Sequence, residues 1–218
     1  MIKIAKGGWS HIGLGVVLVL AGTALWYYYC PITGGVIAGL GAVVVGFMVY
    51  FFRDPERIPP ADPLAILSGA DGWIRLVENM PEEKFLCTQT VRISTFLTPF
   101  DVHVNRSPMP GVVKALDYSP GAHLLTIRNA ASERNEHSSI LIHGQATRCL
   151  VKQIVGPIVR RVVYWLHEGQ QLAAAERIGI MKFGSRLDVY LPEADVEVTV
   201  KRGDRVFAGI TIIARIKK

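Results

Sequence analysis

Two long apolar stretches without charges dominate the pattern of hydrophobic and polar positions in the first part of this chain. They cover residues 12–29 and 32–52, and the turn-forming residues Pro31, Thr33, Gly34 and Gly35 lie where the first stretch gives way to the second. About 20 apolar residues suffice to cross the hydrocarbon core of a bilayer. The pattern therefore predicts a transmembrane helical hairpin over residues 1–52, whose two ends lie on the same side of the membrane.

Lysine and arginine flank the hairpin at both ends. Lys3 and Lys6 precede the first stretch, and Arg53 and Arg57 follow the second. Because positive residues accumulate on the cytoplasmic side of membrane spans, we expect an anchor in the cell (inner) membrane, with the rest of the chain on its cytoplasmic face. A cleaved signal peptide is disfavoured, since aromatic residues end the first stretch and a second apolar stretch follows. A hairpin buried in a protein core or lying in the membrane interface is the alternative.

The chain after the hairpin is predicted to form a linker and then short strands. Charges and prolines over residues 53–63 end the second helix and form the linker. From residue 64 onward, apolar and polar positions alternate over short runs bounded by Gly and Pro, which is typical of β-strands. The predicted strands are Ala65–Leu67, Gly72–Val77, Val91–Phe96, Gly111–Asp117, His123–Asn129, Ser138–Gly144, Ala146–Ile154, Arg186–Leu191, Glu197–Val200 and Thr211–Ile216.

Two further patterns complete the predicted fold. Apolar residues recur at helical spacing over residues 157–166, which predicts a short helix. Residues 196–209 predict a strand, a Gly-Asp turn, a short strand and a Gly turn, which resembles half of a lipoyl- or biotinyl-type barrel sandwich; residues 111–125 are a weaker echo of it. We therefore expect a β-rich α+β soluble domain over residues 64–218, with barrel-sandwich-like halves around one core.

Composition and charge point to an anionic membrane as a partner. Half of the residues are hydrophobic, and the formal net charge is +6. A basic domain tethered to a membrane is attracted to anionic lipid headgroups, and the sequence contains no nucleic-acid-binding motif. Cys30, Cys87 and Cys149 are far apart in the chain, which favours neither a zinc site nor a disulfide framework and suits a reducing compartment. We expect no metal and no nucleic acid.

A Gly-Ser step stands directly before the predicted strand Arg186–Leu191. Gly184 has no Cβ, so its carbonyl is open to close approach and its backbone can adopt strained conformations. A bent Gly-Ser peptide would let the Ser185 hydroxyl attack the Gly184 carbonyl and convert the amide into an ester. From these residues alone, the alternative is a glycine bulge before a strand, with a serine that only caps it or faces water.

Three other polar segments interrupt the strands. Asp71 lies in a Gly-rich turn, where it either shapes the turn or orients a neighbouring base. Asp101, His103 and Asn105 alternate with valines and share one face of an extended segment, so His103 is either structural or catalytic. Residues 132–137 carry several charges, which favours a solvated loop; the alternative is a site for an amine or a phosphate headgroup.

Taken together, these segments resemble the short, membrane-anchored form of phosphatidylserine decarboxylase, a pyruvoyl-dependent enzyme that processes itself. The resemblance covers nearly the whole chain. It depends on five segments in the same order and spacing, which makes it far more specific than any one of them. The matching segments are FFRDPER at 51–57, ADG at 70–72, FDVHVNRSP at 100–108, ERNE at 133–136 and FGSRLDV at 183–189.

The resemblance implies both a cofactor and a reaction. Ser185 would attack Gly184, and elimination from the ester followed by loss of ammonia would leave a pyruvoyl group at position 185. The chain would then consist of a β chain, residues 1–184, and an α chain, residues 185–218. The pyruvoyl carbonyl would form a Schiff base with the amine of phosphatidylserine and accept the electron pair that carbon dioxide leaves behind, as pyridoxal cofactors do. The product would be phosphatidylethanolamine.

The resemblance also suggests roles for individual residues. Asp71 and His103 would serve as the base pair for self-cleavage. Long-form bacterial relatives carry a second His three residues after the first, where this chain has Arg106. Either His103 therefore serves both self-cleavage and decarboxylation, or Arg106 binds the substrate carboxylate or phosphate. Asn105 and Glu136 are the other expected substrate-binding residues, and a homodimer is one assembly that the sequence allows.

Two other functions are compatible with the residues alone. A pyruvoyl-dependent decarboxylase of another amine acid would use the same Ser185 chemistry. A non-enzymatic, membrane-tethered adaptor built on the barrel-sandwich fold would stay uncleaved at Ser185. The two apolar stretches favour a lipid substrate, since a soluble enzyme for free amino acids needs no membrane anchor.

Overall fold

The computed structural model describes residues 3–124, 134–156, 162–181 and 185–217. The chain divides after Glu56 into two compact units. We call the first the hairpin unit and the second, which begins at Arg57, the β-unit. Each unit is described by itself.

The hairpin unit consists of two apolar helices and one short strand pair. Both helices are long and apolar enough to cross a membrane, by length and composition, and the predicted helical hairpin is confirmed. Glycines let the two helices approach closely: a Cβ at Gly22 would lie 2.3 Å from the backbone nitrogen of Ala38. The elements are β1 (Lys3–Ile4), α1 (Trp9–Tyr28), α2 (Pro31–Phe51) and β2 (Arg53–Asp54), with β1 and β2 paired antiparallel.

The β-unit is built from short strands, as the alternating pattern predicts. One 3₁₀ turn is seen among the described residues, Glu193–Asp195, directly after a strand. The described strands are β3 (Ala65–Leu67), β4 (Gly72–Glu82), β5 (Thr88–Phe96), β6 (Val104–Arg106), β7 (Gly111–Ser119), β8 (His137–His143), β9 (Arg148–Ile154), β10 (Val162–Tyr164), β11 (Gln171–Leu172), β12 (Arg177–Met181), β13 (Arg186–Pro192), β14 (Val196–Val198), β15 (Arg205–Val206) and β16 (Ile212–Ile216).

These strands form three sheets, and every neighbouring pair is antiparallel. Eight strands make the large sheet, in the spatial order β11-β7-β8-β9-β13-β5-β4-β15. Two three-stranded sheets have the orders β10-β12-β6 and β14-β16-β3. Strand β13 therefore lies in the middle of the large sheet, between β9 and β5. The expected β-rich fold is confirmed.

The main core lies on one face of the large sheet. Leu187, Val189 and Leu191 of β13 point into it, next to Ile93 of β5 and Val151 of β9. Apolar residues of β12 and β16, from the two small sheets, complete the same core. The buried apolar side chains supply the main stabilisation of the unit, since each contributes about 1.5–3 kcal/mol when fully removed from water.

The opposite face of β13 is buried as well. Tyr190 packs in a second apolar cluster with Leu86, Leu141 and Leu150, and Leu86 belongs to the loop that follows β4. A strand with both faces covered is inaccessible to solvent along its whole length. Ser185, directly before β13, is thus at an interior position.

Two predicted elements need correction. Val162–Tyr164 form strand β10, paired with β12, and not the second half of a helix; residues 157–161 lie outside the described residues. The run is short and rich in β-branched residues, and periodicity alone does not separate a short buried strand from a helix. Of the predicted strand His123–Asn129, only His123 and Leu124 are described, and neither is in a strand.

Candidate active site

Ser185 occupies a fully buried position immediately before β13. Its carbonyl oxygen accepts a hydrogen bond of 3.0 Å from the backbone nitrogen of Leu97, the residue that follows β5. Gly184, the other half of the predicted cleavage site, lies outside the described residues, as do residues 182 and 183. The pairing of β13 with β5 thus fixes the position of Ser185, because Ser185 directly precedes β13.

His103 is bonded to the strand that leads into this junction. The backbone nitrogen of Met181, the last residue of β12, donates to the carbonyl oxygen of His103 over 3.2 Å. Ser185 follows Met181 by four positions, and four residues span at most about 14 Å. Met181 is bonded to His103 and Ser185 is bonded to Leu97, so both residues are held by the stretch 97–103.

The loop that carries His103 is organised by Asp101. Its carboxylate accepts hydrogen bonds from the nitrogen of Thr98, at 2.7 Å, and from the hydroxyl of Thr98, at 2.8 Å. The same carboxylate forms an ion pair with Arg205. Burial acts to raise the pKa of Asp101, but the hydrogen bonds from Arg205 and Thr98 outweigh it and hold the pKa below its usual value. The loop is thus fixed by an ionised carboxylate.

The ring of His103 is oriented by a main-chain contact. Its Nδ1 lies 2.9 Å from the carbonyl oxygen of Asp101, and the side chain is fully buried. A carbonyl oxygen can only accept, so Nδ1 carries the hydrogen. In the neutral ring, Nε2 then bears the lone pair that accepts a proton. This is the tautomer that a general base requires.

Asp71 is bonded to other partners. One carboxylate oxygen lies 2.8 Å from Nη2 of Arg57, and the other accepts a hydrogen bond of 2.8 Å from the backbone nitrogen of Ala208. Both charged side chains are buried, and Arg57 also donates to the carbonyl oxygen of Ala208. The contact to Nδ1 of His103 comes from Asp101. The pairing of Asp71 with His103 in self-cleavage therefore stays a prediction.

Arg106 is buried at the end of β6, beside the turn that carries Asp71. Its backbone nitrogen donates to the carbonyl oxygen of Gly69 over 2.9 Å. Its guanidinium Nη1 donates to the carbonyl oxygen of Ala175, also over 2.9 Å. These contacts orient a guanidinium in the interior, where it can bind a carboxylate or a phosphate more strongly than at an exposed position.

Asn105 connects the two sheets that face each other across this region. Its Oδ1 accepts a hydrogen bond of 2.7 Å from Gln153 of β9, and Gln153 in turn accepts one of 2.8 Å from Ser138 of β8. Asn105 is fully buried, and its Nδ2 has no hydrogen-bond partner among the described residues. A buried amide donor of this kind is costly unless a ligand oxygen bonds to it.

In the charged segment before β8, Asn135 and Glu136 are buried and Arg134 is exposed, so the solvated loop favoured by its composition is wrong for Asn135 and Glu136. The amide of Asn135 binds the main chain of Leu124 and Val155, which pulls the segment inward. One oxygen of Glu136 lies 3.8 Å from Nε2 of His123, and the other has no hydrogen-bond partner among the described residues. Residues 132 and 133 are outside the described ranges.

A buried ionic group directly after Ser185 was not predicted from the sequence. Nε of Arg186 lies 3.1 Å from Oδ1 of Asp188, and both side chains are fully buried on the outer face of β13. Lys152 faces Asp188 from β9, and burial lowers its pKa. Burial also raises the pKa of Tyr190 to about 12, so its hydroxyl stays protonated. The sequence feature that could have indicated this group is the alternation of the charged residues Arg186 and Asp188 with apolar residues in β13.

The site therefore combines a buried serine, a histidine in the tautomer of a base, a buried guanidinium and two buried polar atoms that have no hydrogen-bond partner among the described residues. In the part of the chain that the structure describes, no group of three or more His, Cys, Asp or Glu side chains is arranged to hold a metal ion. The arrangement suits chemistry at the peptide carbonyl before Ser185, with polar groups available for a charged substrate.

Comparison with known proteins connects this site to one family. The family model described as phosphatidylserine decarboxylase matches residues 44–214. The phosphatidylserine decarboxylase proenzyme of Carboxydothermus hydrogenoformans is 40% identical over 217 residues, which cover 100% of this chain and 98% of that protein. The proenzyme of the same name from Salinibacter ruber is 42% identical over 205 residues, which cover 91% of this chain and 88% of that protein.

A third relative gives the same result. The phosphatidylserine decarboxylase proenzyme of Symbiobacterium thermophilum is 39% identical over 214 residues, which cover 98% of this chain and 95% of that protein. Matches of this identity extend over both the hairpin unit and the β-unit. The chain belongs to the phosphatidylserine decarboxylase family.

Proposed function

We propose that this protein decarboxylates phosphatidylserine to phosphatidylethanolamine and carbon dioxide, using a pyruvoyl group made from Ser185 by self-cleavage at Gly184–Ser185. Family membership supports the reaction. The complete burial of Ser185 is the observation that carries the self-cleavage. An external protease cannot reach a peptide bond beside a fully buried residue, so a cut there requires groups of the chain itself.

His103 is the proposed base for self-cleavage. It takes the proton of the Ser185 hydroxyl, whose oxygen bonds to the carbonyl carbon of Gly184. The carbon–nitrogen bond breaks, and the proton goes to the nitrogen of residue 185, which leaves an ester and a free amine. Removal of the Cα proton then expels the Gly184 carboxylate. Water replaces the amine, ammonia leaves, and the pyruvoyl group remains at the start of the α chain, residues 185–218.

Two observations fit this group. The carbonyl of residue 185 is already polarised by the hydrogen bond from Leu97, which suits an acceptor of negative charge. The buried Nδ2 of Asn105 is a donor without a described partner. It can donate a hydrogen bond to an oxygen of the pyruvoyl group or of the substrate. When present, the group supplies an electrophilic carbonyl and an electron sink.

The remaining residues suit the charges of phosphatidylserine. Arg106 would bind the carboxylate or the phosphate, and Glu136 would bind the ammonium. Asp71, held by Arg57, would contribute to the self-cleavage step. The substrate would come from the anionic membrane in which the hairpin unit is anchored, with the β-unit on the cytoplasmic face of the inner membrane. The processed α and β chains would stay together, and a homodimer is compatible with this proposal.

Intact mass spectrometry of the purified protein tests the cleavage. We expect two chains separated between residues 184 and 185, the smaller one with a pyruvoyl-blocked amino terminus. Ser185→Ala should give one intact chain without decarboxylase activity. Ser94→Ala is the matched control, because Ser94 is equally buried but lies on β5 and its hydroxyl has no described partner. This control should be processed like the natural chain.

The outcomes separate the alternatives. An active or processed Ser185→Ala protein would refute the site. A processed protein that releases carbon dioxide from a free amino acid, and not from phosphatidylserine, would instead indicate a pyruvoyl decarboxylase of another amine acid. A chain that stays intact and makes no phosphatidylethanolamine would favour the adaptor.

A further inference from the structure

Four large apolar side chains are exposed together on the β-unit, around one arginine. Trp73 is 48% exposed, Phe100 66%, Phe207 43% and Ile210 45%. The guanidinium of Arg205 lies 5.3 Å from the ring centroids of both Trp73 and Phe207. We call these five residues the aromatic patch.

An ion pair and a hydrogen-bonded turn fix the residues of the aromatic patch. Arg205 pairs with Asp101, the residue next to Phe100. Phe207 and Ile210 belong to one turn, in which the nitrogen of Ile210 donates to the carbonyl oxygen of Phe207 over 3.1 Å. An exposed apolar surface on fixed elements is typical of an interaction site.

The patch borders the candidate active site. Ala208, next to Phe207, donates its backbone hydrogen bond to Asp71. A Cβ at Gly209, in the same turn, would lie 3.1 Å from Cδ of Arg106. Asp101, which pairs with Arg205, also orients the ring of His103. A molecule that covers the aromatic patch therefore lies next to three of the proposed site residues.

Positive side chains extend the patch. Arg75, Lys201 and Arg202 are exposed, and within the described ranges none of them has an ion-pair partner. The turn that carries Lys201 and Arg202 is bonded to β4, since the nitrogen of Gly203 donates to the carbonyl oxygen of Ile74 over 2.8 Å. The surface therefore combines aromatic rings with excess positive charge.

We propose that the aromatic patch docks the β-unit on the surface of an anionic bilayer, so that a lipid headgroup reaches the site from the membrane side. This inference depends on the proposed function for its substrate. Trp and Phe side chains favour the interface between headgroups and acyl chains, and the added cations favour anionic lipid. Arg57, which lies 5.9 Å from the Phe207 ring, stands six positions after the end of α2 in the sequence. The chain thus enters the β-unit at this surface.

The first test compares two forms of one substrate. The full-length processed protein is reconstituted in phosphatidylcholine vesicles and given either long-chain phosphatidylserine in the same membrane or dihexanoyl phosphatidylserine as a monomer in solution. The variant Phe207→Ser with Ile210→Ser should lose about tenfold or more in kcat/KM on the membrane substrate, since each removed apolar contact at an interface contributes on the order of 1.4 kcal/mol, a tenfold factor. Its activity on the monomeric substrate should be unchanged.

Tyr118→Ser is the matched control. Tyr118 is 48% exposed, like Trp73, but it lies on β7, five strands away from β4 in the large sheet. This control should behave as the natural chain on both substrates. Equal losses on both substrates for the Phe207 and Ile210 variant, or no loss on either, would overturn the proposal.

The second test measures depth and needs no enzyme activity. A spin label is placed through Phe207→Cys in a chain with Cys30→Ala and Cys87→Ala, and a second sample carries the label on Cys87. Cys87 is exposed and lies at the other end of β4 and β5, about 30 Å away by strand length. In vesicles containing phosphatidylserine, the label at position 207 should be protected from a water-soluble nickel chelate, and the label on Cys87 should not.

Equal accessibility of the two labels would contradict docking. The two proposals fail in different ways. A natural chain without activity on either form of phosphatidylserine would refute the proposed function, whereas the nickel measurement would still decide whether the patch lies on the membrane.

Discussion

Asp101 is the residue on which the orientation of His103 depends. Its carboxylate binds Thr98 and Arg205, and its carbonyl oxygen receives the hydrogen of His103 Nδ1. The alternation of Asp101, His103 and Asn105 placed these residues on one face of the chain. It did not indicate that the main chain of the aspartate, and not its carboxylate, contacts the ring.

The first prediction concerns Asp101→Asn. The hydrogen bonds that lower the pKa of Asp101 stabilise the folded state at every pH above the ordinary value of about 3.9. The contribution begins to decrease when the pH falls below the ordinary pKa, which applies to the unfolded chain. It is lost once the pH has also fallen below the lower pKa of the folded chain. Asp101→Asn should therefore lower stability by about 1–3 kcal/mol at pH 7, and this difference should shrink below about pH 4.

Thermal unfolding in detergent across this pH range measures the effect. Glu197→Gln is the control, because Glu197 is exposed and has no described partner. A stability difference between the natural chain and Asp101→Asn that stays constant down to pH 2 would show that the carboxylate charge contributes nothing.

At the scale of elements, the contact between β9 and β6 joins the large sheet to a small one. It depends on Gln153, which binds both Asn105 and Ser138 in the interior. Buried amide chains of this kind specify one arrangement of the sheets, since any shift leaves polar groups without partners. Because Asn105 belongs to the proposed site, the packing of two sheets and the placement of a binding group depend on the same side chain.

Gln153→Leu should therefore destabilise the protein and slow its self-cleavage. The change leaves Asn105 Oδ1 and the Ser138 hydroxyl buried without their present partner, and each such group costs about 1–3 kcal/mol. Gln89→Leu is the matched control, since Gln89 lies in β5 but is exposed. The melting temperature and the rate of chain separation, followed by mass spectrometry, measure both effects. Similar results for the two variants would exclude a special role for Gln153.

At the scale of the whole molecule, the two helices of the hairpin unit and the position of the cysteines predict a labelling pattern. Cys30 stands between α1 and α2, Cys87 is exposed in the β-unit, and Cys149 is buried. If both helices span the inner membrane, with the start of α1 and the end of α2 in the cytoplasm, Cys30 lies on the opposite side of the membrane from Cys87.

In cells whose inner membrane is intact and whose outer layers admit the reagent, a membrane-impermeant maleimide should therefore label Cys30. Cys87 should be labelled only after the inner membrane is permeabilised. Cys149 should react only after unfolding, since burial raises its pKa and keeps the thiol protonated. Labelling of Cys87 before the membrane is opened would reverse the proposed orientation, and absence of labelling at Cys30 would argue against two complete spans.

The sequence by itself determined the helical hairpin, most of the strands and the family. Length and composition suffice for an apolar helix, and the alternation of polar and apolar residues suffices for a strand such as β13, because both are local properties of the chain. The order and spacing of the polar segments carry the family resemblance, and that resemblance predicts Gly184–Ser185 as the cleavage site.

Only the tertiary structure decided which groups meet. The partner of Asp71 is Arg57, the ring of His103 is set by a carbonyl, and Glu136 is buried although its segment is charged. The aromatic patch joins Trp73 to Phe207, which are far apart in the chain. The approach of Trp73 to residues 205–207 follows from the pairing of β4 with β15, which are distant in sequence, and local periodicity carries no information about which strands pair.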